Sequence, residues 1–527
     1  MNIKPLARPI LALALLTAAP AARSESARNP IIHADVPDTS MIRVGSNYYM
    51  SSTTMHMAPG VPIMKSKDLV NWEIVSYAYD TLGDLDALNL TNGRDAYGRG
   101  SWASSIRFHQ GTYYVSTFSG TTGKNHVYST KDIETAPWKA VSFRPMLHDN
   151  SLFFDDDGRS YMISGAGKLI LTELLPDLSG LKPGGVDQVI IENGNLLFGA
   201  GEVGGLNAEG SQLFKISGRY YLFNIASPKS RWSRSVLIHR ADKITGPYEG
   251  RVALEDKGVA QGGLIDTPGG DWYAYLFRDS GAVGRIPYLV PVKWEDGWPV
   301  LGVDGKVPDE LDKLPASKGL IPGIVAPDEF DRKPGDRPLP LVWQWNHNPD
   351  HDHWSVSARP GFLRITTSRV DPGFLSARNT LTQRTFGPEC SATTALDLSR
   401  MKDGDFAGLA LLQKRFGLVG VRREGKSLSV VMVSAQSDSP VALAKVPLSQ
   451  EKIFLRADCD FKNHADTARF HYSLDGKDWR EIGEPLKMAY TMPHFMGYRF
   501  GLFNYATKEP GGSADFAYYR IAEKPER

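Results

Sequence analysis

Three acids occupy comparable places in a recurring pattern. Asp38, Asp149 and Glu209 lie 10, 12 and 11 residues ahead of the aromatic strand openings at Tyr48, Tyr161 and Tyr220. Two carboxyl groups across a pocket, one ionised and one protonated, can hydrolyse a glycosidic bond by combined base and acid assistance. A third acid beside the donor disfavours the donor's ionisation, because like charges repel. The expected roles are Glu209 as general acid, Asp149 as its modulator and orienter, and Asp38 as general base acting on water. A base working through water implies carboxyls about 6.5–9.5 Å apart and a product of inverted anomeric configuration. Ala208, Gly210 and Ser211 leave room for a substrate to approach Glu209. By contrast, Asp155, Asp156 and Asp157 run into Gly158 and read as a solvated hairpin turn.

The elements that must position these acids are short strands. From Asn29 to about Gly302 the chain repeats a polar loop, a strand opening on aromatics, and a charged turn. The openings are Tyr48-Tyr49, Tyr113-Tyr114, Tyr161, Tyr220-Tyr221 and Trp272-Tyr273, roughly 45 to 65 residues apart, which is the period of propeller blades. Five units predict a five-bladed β-propeller whose innermost strands face a shared axis. Counting back 10 to 12 residues from each opening reaches Asp38, Trp102, Asp149, Glu209 and Gln261, so these five are expected to face one pocket.

After Gly302 the stretch VDGKVPDELDKLPASKGLIPGIVAPDEF loses the cadence and reads as a linker. From Asp328 onwards, alternation in GFLRITTS, SLSVVMVS and ARFHYSLD predicts a β-sandwich. The expected organisation is a signal peptide at 1–22, a catalytic propeller at 29–320 and a sandwich at 326–527. Lys4 and Arg8, then the apolar run Ile10 to Leu16, then TAAPAA follow the order of a secretory signal, which predicts a secreted or periplasmic protein. That run is too short to span a bilayer. A net charge of +1, with 23% charged residues, gives no reason to expect a nucleic-acid or anionic-membrane partner. The two cysteines, Cys390 and Cys459, fit a disulfide or a pair of buried thiols equally well.

The ordered motifs NPIIHADVPDTSMIRVGSNYYMSST, PGVPIMKSKDLVNW, WASSIRFHQGTYYVS, HDNSLFFDDDGRSYMI and AEGSQLFKISGRYYLF resemble the successive blades of glycoside hydrolase family 43. WQWNHNPD, ARPGFLRITT, LTQRTFGPECSATTALDLS and DGDFAGLALLQ resemble the concanavalin A-like sandwich of its β-xylosidase and α-L-arabinofuranosidase members. The resemblance implies inverting, exo-type release of terminal pentoses from plant cell-wall glycans. It carries the general base to Asp38 of P-D-x-S, the orienting acid to Asp149 of D-x-S-L-F and the proton donor to Glu209 of E-G-x-x-L. Asp35 is then a supporting acid of the same loop.

For binding, the resemblance implies that Arg285 reaches the sugar from the last blade. Trp102 is either an apolar wall for the sugar or blade packing, and His56 either lines the pocket or is packed. Ala260 or Gln261 stands where many relatives have a histidine, so no axial metal is expected and no cofactor is required. Met55 replaces an aromatic common in xylosidase-like relatives. Asp328 and Asp515 resemble acids near a structural calcium in related sandwiches. The segment around Phe503 and Tyr505 either closes the pocket or packs against the propeller. Two other readings use the same scaffold: a carbohydrate-binding propeller without catalysis, and an endo-acting arabinanase or xylanase. The intact acid set argues against the first, and the shape of the cleft decides the second.

Overall fold

The computed structural model describes residues 26–525 apart from 136, 320–322, 438 and 493; the expected signal peptide lies outside these residues. Five four-stranded antiparallel sheets follow one another from Ser40 to Leu301. Their first strands are Ser40–Val44, Ser105–His109, Ser151–Phe154, Glu209–Ile216 and Ala260–Asp266. Each first strand touches the first strands of both neighbouring sheets, so the five close a ring about a central axis. The aromatics that open the second strands fill the wedges between blades. Tyr49 meets Tyr113 edge-on at 5.6 Å, Phe153 meets Tyr220 at 6.0 Å, and Tyr161 is fully buried.

Closure of the ring comes from the segment ahead of the first blade. It runs along the strand Arg285–Glu295 of the fifth blade, where Ile31 N–H donates to Pro287 O and Val36 N–H to Arg285 O. Asn29 adds side-chain hydrogen bonds to Leu289 and Pro308. The stretch expected to be a plain linker contains a strand, Glu310–Pro315, which pairs with Ser26–Arg28. Its buried residues, Leu311 and Leu314, are three apart across a bulge, so the period-2 alternation that announces a strand is absent.

The second half of the chain is a sandwich of two eight-stranded sheets. One sheet ends on a strand from the propeller: Met57–Ala58 pairs with Gln344–Asn346. The two halves thus share a hydrogen-bonded sheet. Cys390 and Cys459 stand opposite each other on paired strands as buried free thiols. No helix among the described residues is long and apolar enough to cross a membrane.

Candidate active site

Four blades begin their inner strands with the same backbone twist. Asp38, Asp149, Gly210 and Gln261 have φ of 50°, 48°, 65° and 51°, all in the left-handed region. With Ala103 they ring a small axial space of about 10 Å³, on the scale of one water molecule. Gly210 is the member for which glycine is required, because a Cβ there would stand 2.7 Å from the Gln261 side chain. Glu209 is therefore one residue outside this ring. Asp38, Asp149 and Gln261 form a floor, while Trp102, His148 and Glu209, each one residue earlier, form a tier beside it. Counting from the aromatic openings merged the two levels because the hairpin turns differ in length between blades.

Beneath the floor, Arg107 ties blades together. Its guanidinium donates to Ser151 Oγ at 2.8 Å and Gln212 Oε1 at 3.0 Å, while Ser40 Oγ also donates to Gln212 Oε1 at 3.2 Å. Burial pulls Arg107 down to about 10. Nothing in the strand SIRFH distinguished this arginine from a solvated one.

Asp38 is buried and held from two sides. Thr53 Oγ1 donates to its Oδ2 at 2.7 Å, and Arg285 Nη1 donates to its Oδ1 at 2.8 Å. Arg285 Nε and Nη2 are buried without a protein partner. Its guanidinium also lies over the rings of Phe277 and Phe495, at 5.4 and 4.7 Å from their centroids. Asp35 supports this arrangement from below, accepting the backbone N–H groups of Arg285 at 2.8 Å and Gly497 at 3.1 Å. Gly284, at φ +104°, makes room for it, since a Cβ there would lie 2.2 Å from Asp35 Oδ1. Burial raises the Asp35 carboxyl against the opposing pull of Arg285.

Asp149 accepts the Gly210 N–H at 3.0 Å. Burial raises its carboxyl to about 7; His148 opposes the rise, and the nearby charges of Glu209 and Asp38 add to it. Asp149 is thus within electrostatic reach of both other acids. Glu209 is partly open, with 26% of its side chain exposed, and its Oε2 lies 3.1 Å from His148 Nε2. That hydrogen bond, with the Asp149 and Glu209 charges, raises His148 to about 9 in spite of partial burial. The sequence signal for His148 is its place immediately before Asp149, matching that of Glu209 before Gly210.

The rim is aromatic and comes from both halves of the chain. Trp102 is half-buried between Phe118, stacked at 6.3 Å, and Phe495 of the sandwich, tilted at 4.9 Å. Phe495 was missed in the sequence because no local pattern connects a loop of the second domain to the propeller axis. Phe503 and Tyr505, considered for that closing role, lie in the strand Arg499–Ala506 and pack in a sandwich core cluster. Of the two readings of His56, a pocket lining and a packed ring, the structure shows the second: it is buried among Tyr97, His347 and His494, at ring distances of 4.6, 4.7 and 5.8 Å. The neighbouring apolar residues Met55 and Met57 carry it into the junction between propeller and sandwich.

Ligand atoms of His148, Asp149 and Glu209 lie within 4.8 Å of one another, a spacing a cation could bridge. All three are already engaged, Glu209 with His148 and Asp149 with Gly210 N–H. The two acids expected beside a calcium ion meet arginines instead: Asp328 is held by Arg332 and Trp343, Asp515 by Arg364 and Arg359. Their oxygens do not fit a calcium site. Larger hollows lie elsewhere, about 720 Å³ beside Tyr79 and Trp138 and about 1010 Å³ beside Arg456 and Trp479, but neither contains the three acids.

Similarity to known proteins follows the same two-part layout. The family model described as Glycosyl hydrolases family 43 matches residues 27–299, and that of the Beta xylosidase C-terminal Concanavalin A-like domain matches residues 328–522. A β-xylosidase of Formosa agariphila is 29% identical, over 93% of this chain and 89% of that protein. A non-reducing-end α-L-arabinofuranosidase of Bacteroides ovatus is 27% identical, over 77% of each. Among solved structures, a bifunctional GH43-CE protein of Bacteroides eggerthii superimposes with a TM-score of 0.93 at 60% identity, covering 95% of this chain. The present chain spans 64% of that longer protein.

Proposed function

Because the chain belongs to glycosyl hydrolases family 43 and is a glycosidase, we propose that it is an exported, inverting exo-enzyme that releases terminal α-L-arabinofuranose or β-D-xylose from plant cell-wall glycans. The observation that carries this reading is the buried Asp38, gripped by Arg285 and Thr53, whose charge acts on Asp149 as does that of the partly open Glu209. In this mechanism Asp38 takes a proton from water as the water attacks the anomeric carbon. Glu209 gives its proton to the leaving oxygen. Asp149 fixes the strand entry that carries Glu209, through its bond to Gly210 N–H, and adds negative potential near the donor. Arg285 orients the base through its bond to Oδ1, and its free N–H groups suit a sugar hydroxyl.

Phe495 and Trp102 across the pocket favour recognition of a chain end, since a sugar's C–H edges pack on aromatic faces and the sandwich closes one side. The names of the relatives support a pentose. Export rests on the order of charged, apolar and small residues at 1–22. The test is turnover of nitrophenyl α-L-arabinofuranoside and β-D-xyloside by the wild type, Asp38→Asn and Glu209→Gln. Loss of about 10³-fold or more in both folded variants is expected, with the first-formed anomer inverted by NMR. Full activity of either variant overturns the assignment of roles, and a retained anomer overturns inversion.

A further inference from the structure

We propose that His148 is a positioning residue for Glu209 and the port through which that acid regains its proton from solvent. The inference rests on the reading of Glu209 as the donor. His148 and Glu209 hold equivalent places in adjacent blades, each directly before a left-handed residue, so their side chains enter the pocket at one level. They meet at 3.1 Å, through His148 Nε2 and Glu209 Oε2. The other charged group facing the ring is Asp149, 3.9 Å from Nε2, and the edge of Phe118 borders it at 5.4 Å. The His148 side chain is 45% exposed, so water reaches the ring while Nε2 meets the acid. Its main chain is pinned independently, by Gly165 N–H donating to His148 O at 3.0 Å.

The proton inventory shows why such a port is useful. As the glycosidic C–O bond breaks, its electron pair goes to the leaving oxygen, which takes the proton of Glu209. The carboxylate left behind faces the N–H of His148. Transfer of the Nε2 proton to Glu209 restores the acid and leaves a neutral imidazole that still carries its Nδ1–H; the bare Nε2 takes a proton from water when the ring turns towards solvent. The attacking water meanwhile gives hydroxide to the anomeric carbon and a proton to Asp38, from which it returns to solvent. Atoms and charge balance over the cycle without another reactant. The raised basicity of His148 beside an ionised Glu209 agrees with a ring that is protonated when the carboxylate is left behind.

The experiment compares His148→Ala and His148→Gln with wild type and Glu209→Gln, using the full chain, the pentoside it turns over, and a disaccharide whose leaving group needs protonation. For His148→Ala we expect kcat on the disaccharide to fall about tenfold to a hundredfold with KM within about threefold, and added imidazole to restore several-fold of the loss. Gln keeps a donor to Glu209 but cannot titrate. His148→Gln should therefore recover part of kcat while the alkaline limb of the kcat/KM profile stays shifted to lower pH. Wild-type rates and pH profiles in both variants, or no imidazole rescue of a slowed His148→Ala, overturn the proposal. Should His148→Ala fold poorly, the pH profile of His148→Gln decides alone. An active Glu209→Gln would overturn the donor reading itself, an outcome separate from any behaviour of His148.

Discussion

Arg285 Nη1 lies 2.8 Å from Asp38 Oδ1, with only 3% and 5% of the two side chains exposed. A buried carboxylate without a counter-charge is costly, so the pair depends on both members. Arg285→Met should lower kcat/KM by at least about 10²-fold and reduce thermal stability, because removing one partner of a buried pair costs about 3–5 kcal/mol. Arg285→Lys should rescue little, since an ammonium cannot hold Asp38 and also present the remaining planar N–H groups. Steady-state kinetics with thermal melts checks both variants. A Lys variant with wild-type kcat/KM would show that charge alone suffices.

Phe495 holds a left-handed backbone, φ 51°, while its ring covers Arg285 and meets Trp102. A bulky residue persists in that region only when its surroundings compel it. Phe495→Gly should relieve the backbone and leave the melting temperature close to wild type, yet raise KM about tenfold or more by opening the rim. Unchanged KM with the shortest substrate would remove Phe495 from substrate binding.

Asp35 joins the two halves of the protein, accepting N–H groups from Arg285 of the propeller and Gly497 of the sandwich. Asp35→Ala strands two buried donors, at about 1–3 kcal/mol each, and should lower the melting temperature by several degrees. Activity should fall as well, because the Arg285 main chain loses its anchor. Asp35→Asn should be less harmful, keeping one acceptor oxygen. A melting temperature unchanged in Asp35→Ala would refute the anchoring role.

Acid should loosen the junction between propeller and sandwich. Burial, then neighbouring imidazoles, holds His56 and His347 well below 6.5, and burial lowers His494 to about 3. Because these rings take up protons less readily folded than unfolded, their contribution to stability is complete above pH 6.5. It is lost progressively as pH falls towards 3. Asp149, raised to about 7, acts with the opposite sign, withdrawing stability as pH rises from 3.8 to 7. Both His56 nitrogens are buried without partners, so His56→Phe should keep the ring contacts and flatten the decline in melting temperature between pH 7 and 5. An equally steep decline in that variant would assign the acid sensitivity elsewhere.

The sequence by itself determined the blades, the acids and the second domain. A propeller repeats a local unit, so turn residues, aromatic openings and apolar alternation recur at a fixed period that any single chain displays. Asp38, Asp149 and Glu209 stood out because each precedes such an opening. Tertiary structure decided everything that depends on level around the axis or on approach between domains. One residue of register separates the floor from the tier of Trp102, His148 and Glu209, and turns of unequal length conceal that difference in linear counting. Arg285 and Asp38, far apart in the chain, pair only once the fifth blade closes against the first. The same closure of the sandwich brings Phe495 to the pocket and draws His56 away from it, since neither contact has a local periodicity to announce it.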